Sequence, residues 1–285
     1  MISFTKRNLK IYFRDKSSVF FSLLAVLIVL GLYVFFLGDQ LVSSFKDEVA
    51  GAQKLMDSWI MAGILAVTPV STTLGSFGAI VNDKTKKIYK DFRCSPIKSR
   101  SIAGGYILSS FCVGVIMSLF ALALVEVYFA VKGYALLSML QFLQVLGVIL
   151  ISVLVSSAMM YLVVCLFTSQ NAFATASTII GTLIGFVTGI YLPIGSTDQS
   201  IQYVIEFFPI SHAASLFRKL LMAEPMKESF DGVPEKFLDD FKLDMGVEFK
   251  VFDHTFTTLE SICYMLLAAI IFYMIGILVT KKKNK

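Results

Sequence analysis

Residues 19–38 read VFFSLLAVLIVLGLYVFFLG, twenty positions without a charge. At 1.5 Å per residue such a helix is about 30 Å long, the thickness of the hydrocarbon core of a bilayer. The run is longer than the apolar core of a cleavable signal peptide and no small-residue cleavage pattern follows it, so it reads as a permanent span. Five further stretches carry the same signature: 59–81, 102–131, 142–167, 173–192 and 261–280. The whole composition agrees. Of 285 residues 56% are hydrophobic and 16% charged, against about 45–50% and about 25% in a soluble domain. The expected fold class is an all-α integral membrane protein: six transmembrane helices, an N-terminal interfacial helix over 1–18, and an outer re-entrant helical hairpin between spans five and six.

The net charge of +5 is spread along the edges of these runs rather than gathered in a basic domain, which gives no reason to expect a nucleic-acid partner. Lys and Arg mark the retained side of a membrane protein. With the N-terminus inside, segments 1–18, 82–100, 168–172 and 281–285 hold 16 of the 25 basic residues, although the outer segments are longer. Segments 39–58 and 193–260 hold 16 of the 20 acids. Both termini are therefore expected in the cytoplasm. Cys112, Cys165 and Cys263 lie within apolar runs and Cys94 in a basic loop, so neither a disulfide nor a zinc site is implied. His212 and His254 have no neighbouring ligand cluster, and no metal site is expected.

Catalytic signatures are missing as well. The sequence has no G-x-x-x-x-G-K-[ST] phosphate loop and no G-x-S-x-G elbow. No catalytic residue is assigned, and the chain is not expected to be an enzyme. Ion-coupled carriers need ionisable groups at membrane depth. Here Glu126 alone qualifies. It falls near the outer boundary of the third span, where it either reaches the headgroups or borders a substrate path. Work must then be supplied from outside the spans.

Four polar or short segments remain. In residues 2–16, Ile2, Leu9, Tyr12 and Phe13 fall on one side of a helix and Lys6, Arg7, Lys10 and Arg14 on another, the pattern of a helix lying in the inner interface. The loop 82–100, NDKTKKIYKDFRCSPIKSR, interrupts its bases with Ile88, Tyr89, Phe92 and Ile97. Ile88 and Phe92 share a face of a short helix that Pro96 ends, a shape suited to a groove on a cytoplasmic partner or to the headgroup layer. Residues 201–208 and 210–222 are apolar but too short to cross, and Pro209 separates them. Two such helices suit a re-entrant hairpin (193–222), a plug where protein satisfies the freed backbone, or else a pair of interfacial helices with no gating role. Residues 223–260 make a small acidic cap, with Phe237, Leu238 and Phe241 on one helical face and VEFKVF as a strand. Spans two and five are rich in Gly, Ser and Thr (Ser71, Gly75, Ser76; Ser177, Thr178, Gly181), allowing close packing or a weakly polar passage.

The stretch Gly189-Ile190-Tyr191-Leu192-Pro193, followed by Phe208-Pro209-Ile210-Ser211-His212-Ala213 and Leu216-Phe217-Arg218, resembles the outer motifs of the type-2 ATP-binding-cassette exporter permeases. The loop ending in Ser95-Pro96-Ile97 looks like their coupling helix, with Asp83 where Glu is commoner and Lys86-Lys87 in place of a Gly-Thr style turn. The resemblance leans towards the drug and antibiotic export branch. It implies that Asp83, Lys87, Ile88, Tyr89, Lys90, Asp91, Phe92, Arg93 and Pro96 couple to an ATPase. It also implies that Gly189, Tyr191, Pro193, Phe208, Pro209, His212 and Arg218 form an outer gate. ATP and magnesium would sit in a separate nucleotide-binding subunit, with no cofactor in this chain, and a second permease and membrane lipid complete the expected partners. A bacterial plasma membrane is the expected location. The expected cargo is amphipathic; a lipid-linked glycan, or a sensor or immunity role without transport, are the alternatives.

Overall fold

The computed structural model describes residues 1–33, 35, 38, 42–43, 49, 51–251 and 254–283; the side chains of Ala25, Arg93, Ser99, Arg100, Lys282 and Lys283 lie outside this description. The first half contains α1 (Ile2–Arg14), α2 (Lys16–Leu32), α3 (Ala52–Thr85), α4 (Ile88–Cys94), α5 (Ser99–Lys132), α6 (Met139–Leu166) and α7 (Gln170–Val187). After these come α8 (Gln199–Glu206), α9 (Pro209–Leu221), α10 (Ala223–Ser229), α11 (Glu235–Asp244), the strands β1 (Lys250–Val251) and β2 (His254–Thr255), and α12 (Thr258–Lys283). Among the described residues, α3, α5, α6, α7 and α12 are long and apolar enough to cross a membrane. The expected first span is seen as α2 over 17 residues; its positions 34, 36 and 37 lie outside the described residues.

Helix ends depart from the uncharged runs for local reasons. α2 opens three residues early because the Asp15 carboxylate accepts from the Ser17 and Ser18 amides at 3.1 and 3.2 Å and from the Ser18 hydroxyl at 2.7 Å, satisfying donors that a helix start leaves free. α6 starts on a capping box formed by Ser138 and Gln141. α7 stops at Val187, short of the expected 192, where the chain turns through Gly189 at φ +62°. That left-handed conformation favours glycine, and a Cβ there would lie 2.8 Å from Ile194 Cγ1. α4 ends at Cys94 with Ser95 extended, as the ring of the following Pro96 requires.

The centre of the bundle is α3. It packs against α2, α5, α6, α7 and α9, and its most apolar window is 78% buried, whereas those of α7 and α12 are 17% buried. α3 is thus shielded by protein, and the other two face outward. That shielding lets α3 carry Thr68, Thr72 and Thr73, which donate to the carbonyls of Ile64, Thr68 and Pro69 at 2.7, 2.7 and 2.6 Å. These local bonds hold the hydroxyls around Pro69, which offers no N–H of its own.

The two ends of the bundle differ. At one lie α1, α4 and the last turns of α12, where Thr280 meets Cys165 and Tyr161; at the other lies the cap of α10, α11 and the β1–β2 hairpin. Phe241 is buried and stacks on Phe230 at 4.9 Å. Phe237, expected on the same apolar face, stays 37% exposed. The expected strand is a two-residue ladder, Lys250 opposite Thr255 and Val251 opposite His254.

Candidate functional site

At the α4 end, four elements meet on one ion pair. Asp83, near the end of α3, is 3% exposed. Both of its oxygens accept from the Arg7 guanidinium of α1, at 2.8 and 3.0 Å, and the Tyr106 hydroxyl of α5 donates to the same carboxylate. The guanidinium lies 4.9 Å from the ring centre of Phe92 on α4 and 5.4 Å from that of Phe4. Phe4 meets Phe92 and Tyr106 edge-on at 5.0 and 4.9 Å. The bidentate fork fixes direction as well as distance. The bonds to Asp83 hold Arg7 above its ordinary value.

This arrangement corrects the expected use of α4. Phe92 turns back onto Phe4 and Arg7 of its own chain, because an aromatic face finds both an edge contact and a cation there. Ile88 and Tyr89 are half-buried with it. The outward face is polar: Lys86, Lys87, Lys90 and Asp91, followed by Pro96 and a 44% exposed Ile97. The Arg93 side chain lies outside the described residues. α3 turns into α4 through Lys87 at φ +63°, the one non-glycine residue with positive φ among the described residues. α4 is thereby fixed to α1 and, through Arg7, to α3 and α5.

α1 is corrected in the same way. Tyr12, expected beside Ile2 and Phe13, is buried with Phe4, Thr5 and Asn8 against the bundle, while Ile2 and Phe13 are exposed. Arg7 leaves the basic side to reach Asp83. Neither Arg7 nor Tyr106 was marked by the loop's sequence; a buried acid at the edge of an apolar run was the available signal.

The other end is also cross-linked. Arg218 of α9, fully buried, donates to the carbonyls of Gly189 at 2.7 Å, Thr188 at 3.2 Å and Gly246 at 3.3 Å. Its guanidinium lies 4.9 Å from the Trp59 ring centre, and the indole donates to the Met245 carbonyl at 2.8 Å. Ser211 donates to Val187 and Ser215 to Val247, at 2.7 and 2.6 Å. α9 thereby satisfies the final carbonyls of α7 and joins them to the cap. Burial lowers Arg218 to about 9, still charged at neutral pH.

His212 sits among Phe249, Phe256 and Tyr264, 4.6–5.2 Å from each ring. Its Nε2 is 2.8 Å from the Glu206 carbonyl, which can only accept, so Nε2 carries the proton and Nδ1 accepts from Ser261 at 3.3 Å. Burial lowers His212 to about 4, leaving it neutral. Tyr191 packs on Phe186 at 5.0 Å and over Gly185, where its ring leaves no room for a Cβ. Pro209 opens α9 at its first turn, and Pro193 and Phe208 are half-buried beside the turns they precede.

One feature lay outside the sequence reading. Asp57 of α3, fully buried, accepts from Tyr33 at 2.6 Å, Tyr134 at 2.7 Å, Gln53 at 3.0 Å and Tyr128 at 3.1 Å. Three tyrosines close to the ends of two apolar runs were the only hint. The small-residue faces of spans two and five, marked in the sequence, line one cleft of about 720 Å³ together with Ser18 and Ser22 of α2, which the sequence did not mark.

A helical bundle centred on α3, with five helices long and apolar enough to cross a membrane among the described residues, is the architecture of a multi-pass membrane protein. Residues 48–278 match the family described as ABC-2 family transporter protein, and the chain belongs to that family. The family forms the transmembrane component of ATP-binding-cassette transporters, not the ATPase. Comparison with curated proteins gave no match.

Proposed function

We propose that this chain is the membrane-spanning subunit of an ATP-driven exporter for an amphipathic compound such as a drug, an antimicrobial peptide or a lipid-like molecule. ATP is hydrolysed in a separate nucleotide-binding subunit that docks on the outward face of α4, in the cytoplasm of a bacterial cell. The single observation that carries this reading is the Arg7–Asp83 clamp, which joins the exposed helix to α1, α3 and α5. A push on α4 is thereby delivered to three helices at once.

The cleft between α2, α3 and α7 supports the cargo class. Its lining combines the hydroxyls of Ser18, Ser22, Ser71, Ser177 and Thr178 with the rings of Phe21 and Phe173, which suits a molecule with both apolar body and hydrogen-bonding groups. A second permease subunit, identical or related, would close the cleft against the outward-facing α7.

Charge reversal of Lys87, Lys90 and Arg93 together tests the docking face. Like charges set against a partner's acids weaken association strongly, so co-purification with the ATPase is expected to fall at least about tenfold and ATP-driven transport to stop. Transport and co-purification at the unmodified level would refute the docking assignment.

A further inference from the structure

α1 has three sides. Phe4, Thr5, Asn8 and Tyr12 are buried against the bundle. Ile2 and Phe13, 76% and 39% exposed, form an apolar flank with Leu9 between them. Lys6, Lys10 and Arg14, spaced by four, line up on the remaining side, and all three are exposed. Among the described residues no ion pair occupies any of them. This stripe borders a cleft of about 780 Å³ together with Ser3, Arg7, Ile11 and Asp15.

The acid in the cleft does not cancel its charge: Asp15 is a single carboxylate against Lys6, Lys10 and Arg14, and its oxygens already accept from Ser17 and Ser18 at the start of α2. Arg7 faces both ways. Its guanidinium grips Asp83, yet its side chain is 30% exposed and lines the same cleft. An anion held by the stripe therefore rests against the residue that fixes α4 to the bundle.

We propose that α1 is a binding site for an anionic phospholipid, whose phosphate diester is held by Lys6, Lys10 and Arg14 while its acyl chains run along Ile2 and Phe13. Charge complementarity calls for an anion, and the adjacent apolar flank calls for one attached to hydrocarbon; a free phosphate would leave that flank bare. The bound headgroup touches Arg7, so the lipid and the coupling helix share one contact. The inference rests on α1 lying in the inner interface on the cytoplasmic side that the proposed function gives to α4, but not on where the ATPase docks.

The test uses the purified full-length chain in a non-ionic detergent, without nucleotide or partner, titrated with fluorescent phosphatidylglycerol and, separately, phosphatidylcholine. Phosphatidylglycerol is expected to bind more tightly. The variant Lys6→Gln/Lys10→Gln/Arg14→Gln should weaken it roughly a hundredfold at low salt, from three surface charges removed, with phosphatidylcholine unchanged. Lys6→Arg/Lys10→Arg should keep the affinity, as should Lys227→Gln/Lys236→Gln on the cap. Inorganic phosphate in excess should not displace the lipid. Equal phosphatidylglycerol binding by the triple glutamine variant, or full displacement by inorganic phosphate, would overturn the lipid site. Because no ATPase is present, either result leaves the exporter assignment standing.

Discussion

Asp57→Ala is expected to lower the stability of the detergent-solubilised protein by about 2–4 kcal/mol, read as the shift in its unfolding curve. Removing the carboxylate strands the hydroxyls of Tyr33, Tyr128 and Tyr134 and the Gln53 amide, and a buried donor left unpaired costs about 1–3 kcal/mol. The sum stays below four full penalties because Tyr128 and Tyr134 are only half-buried and can turn toward water, whereas Tyr33 is 1% exposed. Losing a buried charge gives something back, but four donors already stand in for its hydration. Asp57→Asn keeps one accepting oxygen and should cost less. The reverse deletion should cost more: Tyr33→Phe/Tyr128→Phe/Tyr134→Phe leaves the charge nearly bare, and adding Asp57→Ala to that background should restore part of the loss. If the alanine is neutral alone and does not rescue the triple variant, the four groups do not act as one unit.

Arg218→Met is expected to have an effect of similar or greater size, about 3–5 kcal/mol, since three carbonyls lose their donor at about 1–3 kcal/mol each, partly offset by the removal of a buried charge. Methionine fills the space under Trp59 but leaves the Thr188, Gly189 and Gly246 carbonyls without their donor. Lysine is not a substitute. Its single ammonium cannot reach carbonyls on both the α7 turn and the cap with the planar fork's geometry, so Arg218→Lys should recover little. Because those carbonyls tie the cap to the bundle, limited proteolysis within 223–257 should accelerate in parallel with the stability loss. A methionine variant as stable and as protease-resistant as wild type would show that the cap is held by other contacts.

The sequence exposes the spans because lipid demands long uncharged runs, and each of the predicted runs 59–81, 102–131, 142–167, 173–192 and 261–280 overlaps one membrane-length helix. It misplaces their ends, since caps such as Asp15 and turns such as Gly189 act outside the apolar window. Gly189 and Arg218 were both marked by their motifs, and the structure joins them by a 2.7 Å hydrogen bond. Phe92 was legible only in part. Its spacing with Ile88 reveals that one face is apolar but not what covers that face, and the cover comes from Phe4 and Arg7, more than eighty positions upstream. Asp57 was hidden for a related reason. In a count of outer acids it is one charge among several, and only three-dimensional packing gathers three phenols around it.

The most direct test of the account is the ratio of compound transported to ATP hydrolysed when this chain and its ATPase are reconstituted in vesicles, compared between wild type and Arg7→Ala. If α4 passes work to the bundle through the Arg7–Asp83 clamp, the variant should still bind the ATPase and support hydrolysis, while the ratio falls at least about tenfold, the loss of a charge-assisted bidentate contact. An unchanged ratio in a variant shown to be folded and bound to its ATPase would contradict the account.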